Sequence, residues 1–133
     1  MHLPHIISFQ HTGSSEYGFL DIAEVDKNIP FEIKRVFWTH SVPNGVKRGY
    51  HAHKKTKQIL IAIEGSITVT TELPDGTIKV FELKNSTQGI YLPPHVWHVM
   101  EYQDNAVQIV FCSELFTETD YLRSYIDYKN YYK

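Results

Sequence analysis

The sequence predicts an all-β chain, a small barrel or jelly roll of antiparallel strands with a short helix at the C-terminus. Runs rich in Ile, Val, Thr and aromatic residues recur at short spacing between turn residues, which is the pattern of a sandwich or barrel. The 133 residues match the length of one ordinary domain, so residues 1–133 are read as a single unit. Hydrophobic residues make up 42% and charged residues 21%, enough apolar surface for a core and too much for a disordered or fibrous chain.

Strands are expected at residues 6–9, 19–24 and 32–39, each an apolar stretch ended by polar or turn residues. A three-strand meander follows: QILIAI at 58–63, a turn at Glu64-Gly65, SITVTTEL at 66–73, a turn at Pro74-Asp75-Gly76, and TIKVFEL at 77–83. Residues 89–92, 98–102 and 107–112 complete a set of about nine strands, which suits a small barrel or jelly roll. In the tail, Tyr121, Leu122, Tyr125, Tyr128 and Tyr132 recur at three- and four-residue intervals, predicting a helix over 119–133 with Thr119 as its cap. Residues 43–49 form the one linker-like loop, and no internal repeat is present.

The formal net charge is −2 with a pI near 6.4, and the basic residues form no long run, which argues against nucleic-acid or membrane-surface partners. No stretch approaches the roughly 20 apolar residues of a membrane span. The N-terminus lacks the cationic start and apolar segment of a secretion signal, so a cytoplasmic location is expected. Cys112, the single cysteine, reads as an inert core residue.

Eight histidines are many for this length, and four of them fall in two tight groups, His51 with His53 and His95 with His98. Residues two apart on a strand point to the same side, so the His51 and His53 positions would lie roughly 6.6 Å apart on one face. Gly45, His51, His53, Gln58 and Gly65 reproduce the spacing of the first motif of the cupin superfamily, and Pro93, His95 and His98 resemble its second. Where metal-binding cupins carry a glutamate ligand this chain has Gln58, and His95 stands where the second motif has glycine. An amide neutralises little of a cation's charge, and Lys54, Lys55 and Lys57 repel one, so neither metal nor other cofactor is expected.

A metal-free imidazole pair in a barrel mouth suits proton movement within a bound molecule, since imidazole accepts and returns a proton near pH 7. Abstraction of a proton beside a ketone also needs a donor for the enolate oxygen, for which His53, His98 or a nearby tyrosine is a candidate. Arg35, Arg48, Lys54, Lys55 and Arg123 are candidates for a diphosphate clamp, with Arg48 foremost because it lies three residues before His51. Trp97, Tyr91, Tyr50 and Tyr102 fit a barrel core. His2, His5, His11, His40 and His95 read as surface residues.

The segments IPFEIKRVFW, KRGYHAHKKTKQILIAIEGS, GIYLPPHVWHVM and ETDYLRSY together resemble the dTDP-4-oxo-6-deoxyglucose 3,4-ketoisomerases, the WxcM-like cupins, over nearly the whole chain. The resemblance implies a homodimer with interleaved N-terminal strands. It also implies a metal-independent isomerase that moves the ketone of a dTDP-linked 4-keto-6-deoxyhexose from C4 to C3 through an enediol. Such products lead to 3-amino-3,6-dideoxysugars of S-layer glycans and lipopolysaccharide O-antigens. His51 maps to the proton acceptor, His53 and His98 assist, and Arg48, Tyr17, Arg35, Lys54, Gln58, Tyr102 and Arg123 are the implied substrate contacts. Most relatives carry Tyr-Tyr where this chain has Phe37-Trp38. His98 together with Tyr17 mixes the galacto and gluco patterns, and His98 as proton donor to C4 favours the galacto product. Three other readings remain open at this level: a metal-dependent cupin dioxygenase or hydrolase, a 3,5-epimerase, and a non-catalytic sugar-nucleotide binder.

Overall fold

The computed structural model describes residues 3–133, so His2 lies outside the described residues. It is an antiparallel β-structure. Strands β1 (His5–Ser8), β5 (Lys47–His53), β6 (Gln58–Glu72), β8 (Gln88–Leu92), β9 (Trp97–Cys112) and β10 (Tyr121–Leu122) run in the order β1-β8-β6-β9-β5-β10. Strand β4 (Arg35–Thr39) adds to β9 and β7 (Ile78–Leu83) adds to β6, while β2 (Gln10–Ser14) and β3 (Gly18–Ile22) form a separate hairpin.

Two long strands organise the rest. β6 and β9 pair antiparallel from Gln58↔Cys112 to Glu72↔Trp97. The sequence reads a turn at Glu64-Gly65 and a break between 102 and 107, but the structure bulges at these points and continues the strands. Register shifts around Glu64, while Asp104 and Asn105 take left-handed conformations in the facing strand. A Cβ on Gly65 would sit 2.6 Å from the carbonyl oxygens of both Gln103 and Asp104, so only glycine lets the strands cross so closely here. Such bulges let a strand turn the corner between two faces of a barrel. The Pro74-Asp75-Gly76 turn forms as expected and joins β6 to β7, with Leu73 donating to the Thr77 carbonyl.

Alternation along β6 splits the core. Leu60, Ala62, Ile67 and Val69 point inward with Ile90, Leu92, Met100, Tyr102 and Val110, whereas Ile59 and Ile61 pack on the opposite face with Phe9, Ile29, Phe31 and Tyr91. Cys112 is buried and free, as expected. Tyr50 is the exception among the aromatics placed in the core by sequence: it sits at a bulge with φ 58° and is half exposed.

The tail is more segmented than its periodicity predicts. Glu118–Asp120 form a single 3-10 turn, Tyr121–Leu122 pair with β5, and helix α1 covers only Tyr125–Tyr131. Ser124, and not Thr119, caps it by accepting from the Asp127 amide. Tyr128, Leu122, Trp97 and Ala52 form a small cluster that fastens the helix beside β5. No helix among the described residues is long and apolar enough to cross a membrane.

Candidate active site

A cavity inside the barrel is lined by Phe37, Thr39, Arg48, Gly49, His51, Gln58, Leu60, His98, Met100, Tyr102, Gln108 and Val110. These come from β4, β5, β6 and β9, whose alternation turns every second side chain inward. Gly49 makes the key approach possible. Its φ is 98° and a Cβ there would lie 2.9 Å from the His98 carbonyl oxygen, so glycine admits β5 against β9 and sets His51 opposite His98.

The imidazoles form a compact cluster. His51 meets His98 at 4.7 Å and His53 at 5.2 Å between ring centroids, with both pairs edge to face, and His53 lies 6.1 Å from His98. Each ring spends its Nδ1 on a fixed acceptor: His51 on the Gly49 carbonyl at 3.1 Å, His98 on the Val96 carbonyl at 3.1 Å, and His53 on Asp120 at 3.0 Å. Carbonyl oxygens only accept, so Nδ1 carries the proton in His51 and His98, and their Nε2 atoms hold lone pairs in the neutral form. His53 Nε2 is buried without a partner.

Electrostatics keep the cluster uncharged. Burial, and then the neighbouring His53, lower His51 to about 4. His53 is lowered by burial and by Arg35 and Arg123, against the opposing pull of Asp120. His98 falls well below the ordinary value because it is fully enclosed beside the other two rings. Asp120 is the exception. Burial opposes its ionisation, but hydrogen bonds from Thr56, His53 and the Lys55 amide outweigh that and hold the carboxyl below its usual value. It is the buried acceptor that orients His53.

The cavity brings together five of the residues expected from sequence: His51, His98, Arg48, Gln58 and Tyr102. His53 sits behind them, packed against His51 and, at 4.4 Å, against Tyr121. The other four expected contacts lie outside the lining. Tyr17 stands at the tip of the β2–β3 hairpin and is 87% exposed. Lys54 places its ammonium over the Tyr131 ring. Arg123 pairs with Glu118 at 2.6 Å and stacks on Tyr121. Arg35 is sandwiched by Phe37 and Phe116 with a buried, unpartnered Nε; its charge bears on His53, and its charge and a side-chain hydrogen bond bear on Cys112. Phe37 and not a tyrosine contributes to the wall, whereas Trp38 is largely exposed. His95 is exposed, as expected, with φ 74° and a hydrogen bond to Tyr132.

Asp120 and Gln108 escaped the sequence reading. Asp120 meets His53 across 67 residues, with no local pattern to announce it. Gln108 did leave a signal: it stands between Ala106 and Val110 on the inward-facing parity of β9, a polar residue where the period calls for an apolar one.

A ring nitrogen from each of His51, His53 and His98 lies within 4.8 Å of the others, close enough to hold a cation. The donor set fits one poorly. The nearest equivalent of the carboxylate ligand is Gln58, whose Nε2 donates to Cys112 Sγ, and the positive charges of Arg35 and Arg123 already bear on the cluster.

Comparison with known proteins agrees with the geometry. A TDP-4-oxo-6-deoxy-α-D-glucose-3,4-oxoisomerase from Aneurinibacillus thermoaerophilus is 39% identical over 128 residues, covering 95% of this chain and 90% of that protein. The crystal structure of QdtA, a sugar 3,4-ketoisomerase from Thermoanaerobacterium thermosaccharolyticum in complex with TDP, superposes with a TM-score of 0.90 at 37% identity, covering 96% of this chain and 93% of that one. A histidine-to-asparagine mutant of QdtA in complex with TDP-4-keto-6-deoxyglucose gives a TM-score of 0.91 at 35% identity, over 98% and 94% of the two chains. The family model described as FdtA, WxcM-like, C-terminal matches residues 2–133, and this chain belongs to that family.

Proposed function

We propose that this protein is a TDP-sugar 3,4-ketoisomerase acting on TDP-4-keto-6-deoxyglucose. The observation that carries the reading is the pair of neutral imidazoles, His51 and His98, side by side in the wall of one cavity with their Nε2 lone pairs unassigned to the backbone. That arrangement suits proton transfer between adjacent carbons, and the isomerase relatives act on such sugars.

In the proposed chemistry His51 removes the C3 proton. The C3–H electron pair forms the C3=C4 bond, and the C4 carbonyl pair moves to O4. The O3 proton passes to O4, C4 is then protonated from the imidazole cluster, and the C3–O bond becomes the new ketone. No electron acceptor is required, and the proton inventory is restored at the end of each cycle. His98, in ring contact with His51 at 4.7 Å, takes the C3 proton over from His51 on its free Nε2 and delivers it to C4, which favours the galacto product. Arg48 at the cavity mouth suits a bidentate grip on the diphosphate. A metal-free mechanism is supported by Gln58 in the carboxylate position and by the cationic surroundings of the cluster.

A homodimer is supported by the β2–β3 hairpin, which leaves the body with Tyr17, Phe19 and Leu20 exposed. In such a dimer the hairpin would carry Tyr17 toward the partner's cavity. Residues 1–133 are proposed to act as one domain in the cytoplasm, where sugar nucleotides are made. A 3-keto product is the form a transaminase would convert into a 3-amino sugar.

The test is incubation with TDP-4-keto-6-deoxyglucose in deuterated water, followed by NMR. The expected result is a 3-keto sugar nucleotide with deuterium at C4 in the galacto configuration. Recovery of unchanged substrate would refute the assignment.

A further inference from the structure

The histidine cluster leaves one chemical requirement unmet. A charge develops on O4 as the C3 proton leaves, and that oxygen needs a hydrogen-bond donor already in place. His51 and His98 have committed their only neutral-state proton to backbone carbonyls at 3.1 Å, so each offers a lone pair to the cavity and no donor. Phe37 has no hydroxyl. Gln58 is turned to Cys112.

Gln108 is different. It is 1% exposed, it lines the cavity, and its Nε2 has no hydrogen-bond partner. Its other end is fixed, because the buried Tyr102 hydroxyl donates to Oε1. Arg48 and Thr39 lie against that same hydroxyl and donate toward its oxygen, which leaves the phenolic proton for Gln108 and sets the amide so that NH2 is the free end. A buried donor without a partner bears the cost of its lost hydration uncompensated. A ligand atom that accepts from it removes this penalty.

We propose that Gln108 Nε2 is the donor that holds O4, the carbonyl oxygen of the 4-keto sugar, with Tyr102 as the residue that positions it. This rests on the ketoisomerase reading and identifies the oxyanion contact of the same site. Gln108 gives up no proton in the cycle. It donates a hydrogen bond to O4 in the ketone and a stronger one as charge accumulates there, while the base and the O3 hydroxyl account for every proton that moves.

The experiment compares the unmodified protein with Gln108→Leu and Gln108→Glu, two changes of similar volume that remove the amide donor. Removal of one preorganised oxyanion donor lowers kcat by about 10²- to 10³-fold. The expected result is a kcat loss in that range in both variants, with affinity for TDP, which lacks the sugar, within about twofold. If Gln108→Leu does not fold, infrared spectroscopy of bound substrate decides the matter in the His51→Asn background, which halts turnover. There the C4 carbonyl stretch should rise when Gln108→Asn is added, and rise less with Tyr102→Phe. Full kcat in the folded variants, or an unmoved carbonyl stretch, overturns the assignment of Gln108 alone. If the unmodified protein fails to convert the substrate, the ketoisomerase reading falls first and this inference falls with it.

Discussion

The barrel interior and the β2–β3 hairpin obey opposite rules. Inside, the polar side chains near the histidines are each anchored at one end: Asp120 accepts from Thr56, His53 and the Lys55 amide, and the Tyr102 hydroxyl is tied to Gln108, while the Nε2 atoms of His53 and Gln108 stay buried without a partner. On the hairpin almost every residue faces solvent, including Phe19 and Leu20 at about 60% exposure, and the main side-chain ties are His11 with Asp21 and Asp21 with Ser86. The interior is therefore ordered by contacts within the chain. The hairpin presents apolar surface that finds little cover among the described residues. The difference separates residues whose removal should stop the reaction from residues whose removal should alter assembly.

The largest expected effect breaks the interior. His51→Asn keeps the ring's volume approximately and removes the base, so turnover should fall by about 10²- to 10⁴-fold while TDP still binds, as measured by steady-state kinetics and calorimetry. Next comes Asp120→Asn. It weakens a carboxylate that accepts from three donors, frees the His53 ring, and should cost about 1–3 kcal/mol in denaturant unfolding, with kcat falling more than KM rises. Arg48→Ala should mainly raise KM, by about 10- to 100-fold, because a charge-assisted phosphate contact is worth about 1.5–3 kcal/mol and is made equally in ground and transition states.

The hairpin should respond differently. Phe19→Asp with Leu20→Asp is expected to leave the thermal transition of the barrel in place while halving the mass seen by analytical ultracentrifugation. A change in the barrel's transition with no change in mass would erase the contrast between the two regions.

The smallest expected effect concerns pH. His51 is lowered to about 4 in the fold, so it stays a base far below the ordinary imidazole value of about 6.5. Activity should be nearly flat from pH 8 to 5 and decline as the pH approaches 4. Stability carries the same sign through a different state. Below about pH 6.5 the unfolded chain binds protons that folded His51, His53 and His98 do not, so stability falls with pH across that range.

Much of this contrast was legible in the sequence, and what was missed has physical causes. Alternating apolar residues announced most of the strands, and the His51–His53 spacing announced the site, because both are local patterns; β2 and β5 carry mostly polar residues and gave no such signal, so residues 47–49, expected in a loop, instead open β5. Glu64-Gly65 was misread as a hairpin turn because a glycine with φ 67° serves a turn or a bulge equally well, and the difference lies in the facing strand at Gln103 to Ala106. Thr119 was misplaced as a helix cap because pairing of Tyr121 and Leu122 with His53 and Ala52, about 70 residues away, overrides the helical period. Asp120 was invisible for the same reason. Gln108 does leave a local signal, a polar residue at an inward position of β9.

Proton transfer at this site requires uncharged imidazoles that present bare Nε2 atoms to the cavity. Long-range proton–nitrogen correlation NMR of the 15N-histidine-labelled protein at pH 7 observes this directly. His51 and His98 should each appear as the neutral tautomer protonated on Nδ1, with Nε2 at the shift of an unprotonated ring nitrogen. Imidazolium signals, or rings protonated on Nε2, would contradict it.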